Sequence, residues 1–415
     1  MFVIFLRHNR RCCTCSYLWI VCSRSHPQYS QVTCSIMSAV KAFTKYLILF
    51  GLYSNAFHAQ VNSIKRRLLM TPNSYTSDSI AEIIREDSTT QYDRIKGIDR
   101  GIVFLKNQKE TSAYIDANFD AILFDCDGVL YRGQDAIPEA SQSLKALMKQ
   151  KKKVLFVTNN AGQSRLQLRN KLSKILQCDE IEENQIVSSS YSASRYLERI
   201  SKERNVSIKD MNVHIIGSSG LCDEIRKLRC NVTGGPSEDK ASMSREELQT
   251  YTFELEEENG KVDAVVVGLD TEFNYRKLCI ANVLLQRYPG AVLIATNEDA
   301  FDLVGSDSRH LPGNGALVKA LEYCSQREAI NVGKPSKMLA ELITMEHSLN
   351  PQRTLFVGDR LDTDCKFGID NNMKTAIVLT GCTTAQKLID IGEGTDEEPL
   401  PHIIFPHMGM MGLFN

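Results

Sequence analysis

Beyond residue 118 the chain alternates short apolar runs with amphipathic stretches of helical length. The runs are Ala121 to Phe124, Val154 to Val157, Val213 to Ile216, Val262 to Val267, Ala291 to Ala295, Ile330 to Val332, Thr354 to Val357 and Thr375 to Leu379. Continuous apolar runs, as opposed to apolar and polar residues in strict alternation, mark strands buried on both faces, and helices between them supply parallel crossovers. The pattern predicts an α/β fold built on a doubly wound parallel sheet.

Four of these runs end in polar residues able to do chemistry. Asp125 and Asp127 come directly after the first, Thr158, Asn159 and Asn160 after the second, Lys334 after the sixth and Asp359 after the seventh. Any one of these is ordinary at a strand end or helix cap. Ligands of an open α/β sheet, however, bind at the carboxyl ends of its strands. Together the four sets bring a nucleophile, an acid/base, phosphate donors, a cation and metal-binding carboxylates to one edge.

With 415 residues the chain exceeds one typical domain, so a core with an inserted module is expected. Hydrophobic residues at 43% and charged residues at 24% suit a globular protein with a substantial core. Lys and Arg number 49 against 50 Asp and Glu, so no net field draws the chain to nucleic acid or an anionic membrane. Specificity must reside in a site. The eight histidines are scattered without HExxH spacing, which disfavours a zinc hydrolase, and neither GxSxG nor a P-loop occurs. The cysteines beyond residue 100 have no framework spacing and read as reduced cytosolic thiols.

The first hundred residues are different. Met1 to Ser77 contains no acidic residue and nine Lys or Arg. Two readings fit: an organelle transit peptide, or a stretch upstream of a start at Met37 or Met70. The expected location is cytoplasmic, or mitochondrial if the leader is genuine. The run Tyr46 to Tyr53 is far shorter than the roughly 20 residues of a spanning helix, so no stable membrane insertion is expected. Residues 1–109 are expected to be a poorly ordered leader and linker.

The motifs FDCDGVLYRG (Phe124 to Gly133), VTNN (Val157 to Asn160), VGKPS (Val332 to Ser336) and VGDRLDTD (Val357 to Asp364) resemble, in order and spacing, those of the haloacid dehalogenase superfamily. More narrowly they resemble the branch of phosphoglycolate, glycerol-3-phosphate, pyridoxal phosphate and 4-nitrophenyl phosphatases. The resemblance implies a Rossmann-like core from residues 110–209 and 312–395, a large inserted α/β cap at 210–311, and an atypical tail at 396–415. It also implies that Asp125 is the nucleophile of a phosphatase passing through an aspartyl-phosphate, and that Asp127 is the general acid/base. Mg²⁺ would be held by the Asp125 side chain, the Asp127 carbonyl and Asp359. Thr158, Asn159, Asn160 and Lys334 would bind the phosphate. Asp364 would orient a water or Lys334, or cap a helix, and Arg360 would be a structural ion-pair partner.

A carboxylate is already ionised near neutral pH and needs no activating base to attack phosphorus. Two carboxylates facing a phosphate dianion repel it, so a divalent cation and a lysine are required beside them. The leaving group is chosen by the cap. Where pyridoxal phosphatases carry a histidine, this chain has Asp302. The expected partner is therefore a small phosphorylated metabolite such as 2-phosphoglycolate or glycerol 3-phosphate, with pyridoxal phosphate, aryl phosphates or phosphotyrosine as alternatives. A non-catalytic phosphate-binding protein would show damaged motifs. A homodimer through the cap is implied by the family.

Overall fold

The computed structural model describes residues 3–8, 16–21, 101–105, 107–236, 244–250, 261–304, 309–393 and 399–412. It divides into two units, residues 1–74 and 75–415. In the first, Val3–His8 pairs antiparallel with Ser16–Val21. Most of the acid-free leader lies outside the described residues.

The second unit opens with strand β1 (Val103–Phe104), helix α1 (Gln108–Asn118), β2 (Ala121–Phe124), α2 (Ala140–Lys149), β3 (Lys153–Thr158), α3 (Arg165–Leu176) and β4 (Ile186–Ser188). Next come α4 (Ser189–Glu203), β5 (Asn212–Ile216), α5 (Ser219–Arg226), β6 (Asn231–Gly234), β7 (Ala264–Val267), α6 (Tyr275–Arg287) and β8 (Val292–Ala295). A hairpin of β9 (Phe301–Val304) and β10 (Arg309–Pro312) leads to α7 (Asn314–Ser325) and β11 (Ile330–Asn331). The chain then runs through α8 (Lys337–His347), β12 (Thr354–Gly358), β13 (Lys374–Val378), α9 (Ala385–Glu393) and β14 (Ile403–Phe405).

Two parallel sheets result. The core sheet has seven strands in the order β1-β14-β13-β12-β2-β3-β4. The cap sheet has five in the order β6-β5-β7-β8-β11. Continuous apolar runs are required because helices cover both faces. In β2, Ile122 and Phe124 join the cluster formed with α1, α2 and α3, while Ala121 and Leu123 join the one formed with Leu339, Ala340 and Ile343 of α8. All four are buried, and burying a side chain of leucine or phenylalanine size stabilises by roughly 1.5–3 kcal/mol. Local chemistry fixes the helix entries: Ser164 and Gln167 form a reciprocal capping box on α3, and Asn274 caps α6.

The expected boundaries shift in three places. Val103–Phe104, read as linker, is an edge strand of the core sheet. The cap reaches beyond 210–311: Ala193, Leu197 and Ile200 of α4 pack with its strands on one face, Val318 and Leu321 of α7 on the other, and β11 is its edge strand. Their apolar faces have nowhere else to be buried. The atypical tail supplies β14, which lies between β13 and β1 inside the core sheet. Its flanking prolines conceal a three-residue strand.

Candidate active site

The carboxyl ends of β2, β3 and β12, with the segment after β11, converge at one edge of the core sheet. Asp125 leaves β2 with its backbone N–H on the carbonyl of Val357, 2.8 Å away. Candidate oxygens of Asp125, Asp359 and Asp364 all lie within 4.8 Å of one another, and all three residues are buried. These carboxylates come from two distant stretches of chain.

Lys334 binds two of them together. Its ammonium donates to Asp125 Oδ1 at 2.6 Å, Asp364 Oδ1 at 2.8 Å and the Val157 carbonyl at 3.1 Å. Asp364 Oδ2 accepts from the backbone N–H groups of Asp359 and Arg360 at 3.0 and 3.1 Å. Asp364 therefore sits inside the π-helical turn Leu361–Cys365, holding both Lys334 and the Asp359 loop, and is not a helix N-cap. Asp359 Oδ2 accepts from the Cys382 N–H at 2.6 Å.

Between the two aspartates of the first motif, Cys126 points into the core, 1% exposed. Asp127 accepts from the Tyr131 hydroxyl at 3.0 Å. The next turn of chain requires glycine. Gly128 has φ +78°, and a Cβ there would meet Asp359 Oδ2 at 2.6 Å and Gly381 Cα at 2.9 Å. The Thr380 hydroxyl closes the turn by donating to the Gly128 carbonyl at 2.5 Å.

Thr158 is buried at the end of β3, and its hydroxyl accepts from the Asn160 N–H at 3.2 Å. The Asn159 side chain is engaged within the protein. Its Oδ1 accepts from the Lys334 N–H at 2.8 Å, and its Nδ2 donates to both carboxylate oxygens of Asp299 at 3.1 Å. With both ends of its amide engaged, the side chain joins the lysine loop to the cap. The Asn160 Oδ1 accepts from Gly162 N–H at 2.9 Å, which fixes its amide plane.

Three residues were missed from sequence. Asn297 donates to the Asn159 carbonyl at 2.9 Å, and Asp299 receives the Asn159 amide. These cap contacts carry no local signal. Thr380, by contrast, directly succeeds the run Thr375 to Leu379, so the strand-end rule that exposed the other motifs applies to it too. Arg360 pairs with Asp362 at 2.9 Å and also donates to the Phe301 carbonyl at 3.2 Å, with its guanidinium 4.9 Å from the Phe301 ring. It thereby seats the β9–β10 hairpin, where Phe301 stacks on His310 with ring centroids 4.0 Å apart.

Crowding shifts the titrations. Burial pushes Asp125 well above the usual carboxylate range; Lys334 opposes this, and Asp364 and Asp359 add to it. Burial, then the Asp364 charge, pushes Asp359 up to about 7. Asp127 is raised by burial, against Lys171 and the Tyr131 hydrogen bond. For Lys334 burial acts downward, but Asp125 and Asp364 outweigh it and hold the ammonium above its ordinary range. One ammonium thus faces three carboxylates. The donor set is oxygen-only and carries excess negative charge, the chemistry of a Mg²⁺ site.

The chain matches the haloacid dehalogenase-like hydrolase family over residues 122–230 and a HAD-hydrolase-like family over residues 331–406. Phosphoglycolate phosphatase 2 of Arabidopsis thaliana is 38% identical over 273 residues, 66% of this chain and 87% of that protein. Glycerol-3-phosphate phosphatase of Mus musculus is 34% identical over 281 residues, 67% of this chain and 84% of that protein. Among solved structures, p-nitrophenyl phosphatase from Archaeoglobus fulgidus superposes with a TM-score of 0.56 at 26% identity, covering 71% of this chain and 98% of that one. Among the described residues no helix is long and apolar enough to cross a membrane.

Proposed function

Because the chain belongs to the haloacid dehalogenase-like hydrolases and is a phosphatase, we propose that it hydrolyses small phosphomonoesters with Mg²⁺ through an aspartyl-phosphate on Asp125. The observation that carries this reading is the buried Lys334 ammonium bridging Asp125 and Asp364, with Asp359 in the same carboxylate cluster. An aspartate whose oxygen is held by a lysine is an oriented nucleophile.

Asp125, the Asp127 carbonyl and Asp359 would hold the ion, with Asp364 behind them. When bound, Mg²⁺ offsets the repulsion between carboxylates and phosphate dianion and so permits close approach. The remaining steps belong to the side chains. A carboxylate oxygen of Asp125 attacks phosphorus, and the bond from phosphorus to the leaving oxygen breaks with its electron pair on that oxygen. Asp127 delivers the proton that turns it into an alcohol. Water then attacks the phosphorus of the acyl phosphate while Asp127 takes one of its protons, and the bond to Asp125 breaks, returning the carboxylate. Thr158 and Asn160 donate to phosphate oxygens, and Lys334 neutralises charge that grows in the transition state.

The substrates we favour are 2-phosphoglycolate and glycerol 3-phosphate. The names of two relatives, a phosphoglycolate phosphatase and a glycerol-3-phosphate phosphatase, support this choice. The test is phosphate release from both esters by wild type and by Asp125→Asn in Mg²⁺ buffer. Turnover should fall at least about 1000-fold with the fold retained, as for loss of a nucleophile. Persistent turnover in the variant removes Asp125 from its role.

A further inference from the structure

The turn that carries Asp127 is tied down by a buried tyrosine that takes no part in the two hydrolytic steps. Tyr131 is fully buried in the core cluster with Val129, Leu130 and Ile137. Its hydroxyl donates to Asp127 Oδ2 at 3.0 Å, while its carbonyl accepts from the Gly128 N–H at 2.8 Å. The Lys171 ammonium of α3 lies 4.1 Å from the centroid of the Tyr131 ring. One contact thus joins the side chain to the carboxylate, a second ties the Tyr131 backbone to the turn after Asp127, and a third holds the ring.

A carboxylate has two chemically equivalent oxygens and rotates about its Cβ–Cγ bond. Pinning Oδ2 to a hydroxyl that cannot move stops that rotation and leaves Oδ1 as the transferring oxygen. We propose that Tyr131, with Lys171 over its ring, is a positioning residue that orients Asp127 for protonating the leaving group. This rests on the reading of Asp127 as general acid. Tyr131 keeps its own proton throughout; the proton that moves goes from the Asp127 carboxyl to the departing oxygen as the phosphorus–oxygen bond breaks.

The consequence is selective. An alkyl ester such as glycerol 3-phosphate expels a strongly basic oxygen and depends on protonation, whereas 4-nitrophenyl phosphate expels a stable phenolate and does not. The value of kcat/KM reports the step in which the leaving group departs. A residue that merely stabilised the fold would affect both substrates alike.

The experiment measures kcat/KM for both esters in wild type, Tyr131→Phe, Lys171→Met and Asp127→Asn, with melting temperatures alongside. Tyr131→Phe should lose about 10- to 100-fold with glycerol 3-phosphate and less than about 3-fold with 4-nitrophenyl phosphate, part of the full general-acid contribution. Lys171→Met leaves the hydroxyl in place and should show a smaller loss of the same selectivity, which keeps the test open if Tyr131→Phe folds poorly. Equal loss for both esters, or no loss for either, overturns the proposal. Selective loss in Asp127→Asn without it in the Tyr131 and Lys171 variants overturns the positioning role alone. If Asp127→Asn shows no selectivity, the general-acid reading itself fails.

Discussion

Lys334 and Asp125 are 209 residues apart in sequence and 2.6 Å apart in space, and Asp364 holds the other side of the same ammonium at 2.8 Å. The side chain of Lys334 is 3% exposed and that of Asp364 1%. In so dry a setting the lysine neutralises charge and also fixes the direction of the Asp125 carboxylate.

Removing that ammonium should therefore be costly twice over. Lys334→Met leaves two buried carboxylates without their cation, and breaking a buried ion pair from one side costs about 3–5 kcal/mol. Denaturant titration should show this loss, and phosphate release should fall by at least about 100-fold. Asp364→Asn keeps the size of the side chain and a carbonyl oxygen for the N–H groups of Asp359 and Arg360. It should cost less stability than Lys334→Met while still lowering kcat by about tenfold or more, since the lysine loses one of its two carboxylate anchors. An Asp364→Asn enzyme with wild-type kcat would show that Lys334 needs no such anchor.

The carboxylate cluster predicts how Mg²⁺ binding depends on pH. Asp359 is raised from 3.8 to about 7 by burial and by Asp364. Between these values the folded protein holds a proton that the unfolded chain has released, so without the ion this group's contribution to stability falls as pH rises from about 4 to 7. Mg²⁺ must displace that proton below pH 7 and finds a free carboxylate above it. The increase in melting temperature on adding Mg²⁺ should be larger at pH 8 than at pH 6, and Asp359→Asn should abolish most of it. An equal shift at both pH values would detach Asp359 from metal binding.

How much of this was legible in sequence depends on how local the signal was. All eight apolar runs are strands, because a strand buried on both faces must be apolar throughout, whatever it pairs with. β4 and β6 escaped because polar residues leave them no continuous apolar run longer than two, and β14 because prolines flank it. Ile403–Phe405 stands between Pro401 and Pro406 and becomes a strand by pairing with Ala376–Val378 on one side and Val103–Phe104 on the other. Asn159 shows the same limit at the site. Its residue type suits a phosphate donor, but only the fold brings Asp299 and the Lys334 backbone to the two ends of its amide. The alternation of strands and helices marks the cap from 210 to 311, whereas α4 and α7 pack on its strands through faces whose partners are remote in sequence.

The cap should also have its own acid sensitivity. His214 on β5 is 1% exposed, and its Nδ1 lies 3.0 Å from the Thr233 hydroxyl. Burial pulls it from 6.5 down to about 4. A folded-state pKa below the unfolded one gives stability that is complete above about 6.5 and is lost as pH falls toward 4. The loss amounts to roughly 3 kcal/mol, from about 1.4 kcal/mol per unit. Denaturant curves at pH 7 and pH 4.5 should differ less for His214→Asn than for wild type. Identical pH dependence in the two would mean that His214 does not set the acid limit.

The tail strand makes the last test, because it separates the fold from the chemistry. β14 contributes no motif residue, yet Ile403, Ile404 and Phe405 are each at most 1% exposed, and β14 joins β13 to β1. Beyond it Met408 and Met411 are fully buried, and Ser143 of α2 donates to the Gly409 carbonyl at 2.9 Å and accepts from the Gly412 N–H at 3.1 Å. At roughly 1.5–3 kcal/mol for each of these five side chains, deleting residues 399–415 would remove about 7–15 kcal/mol of burial. That equals the whole stability of a typical domain, about 5–15 kcal/mol. The truncated chain should therefore be insoluble or unfolded by circular dichroism although all four motifs are intact. A soluble, active truncation would mean that the parallel pairing of β13 with β14 adds nothing the core sheet needs.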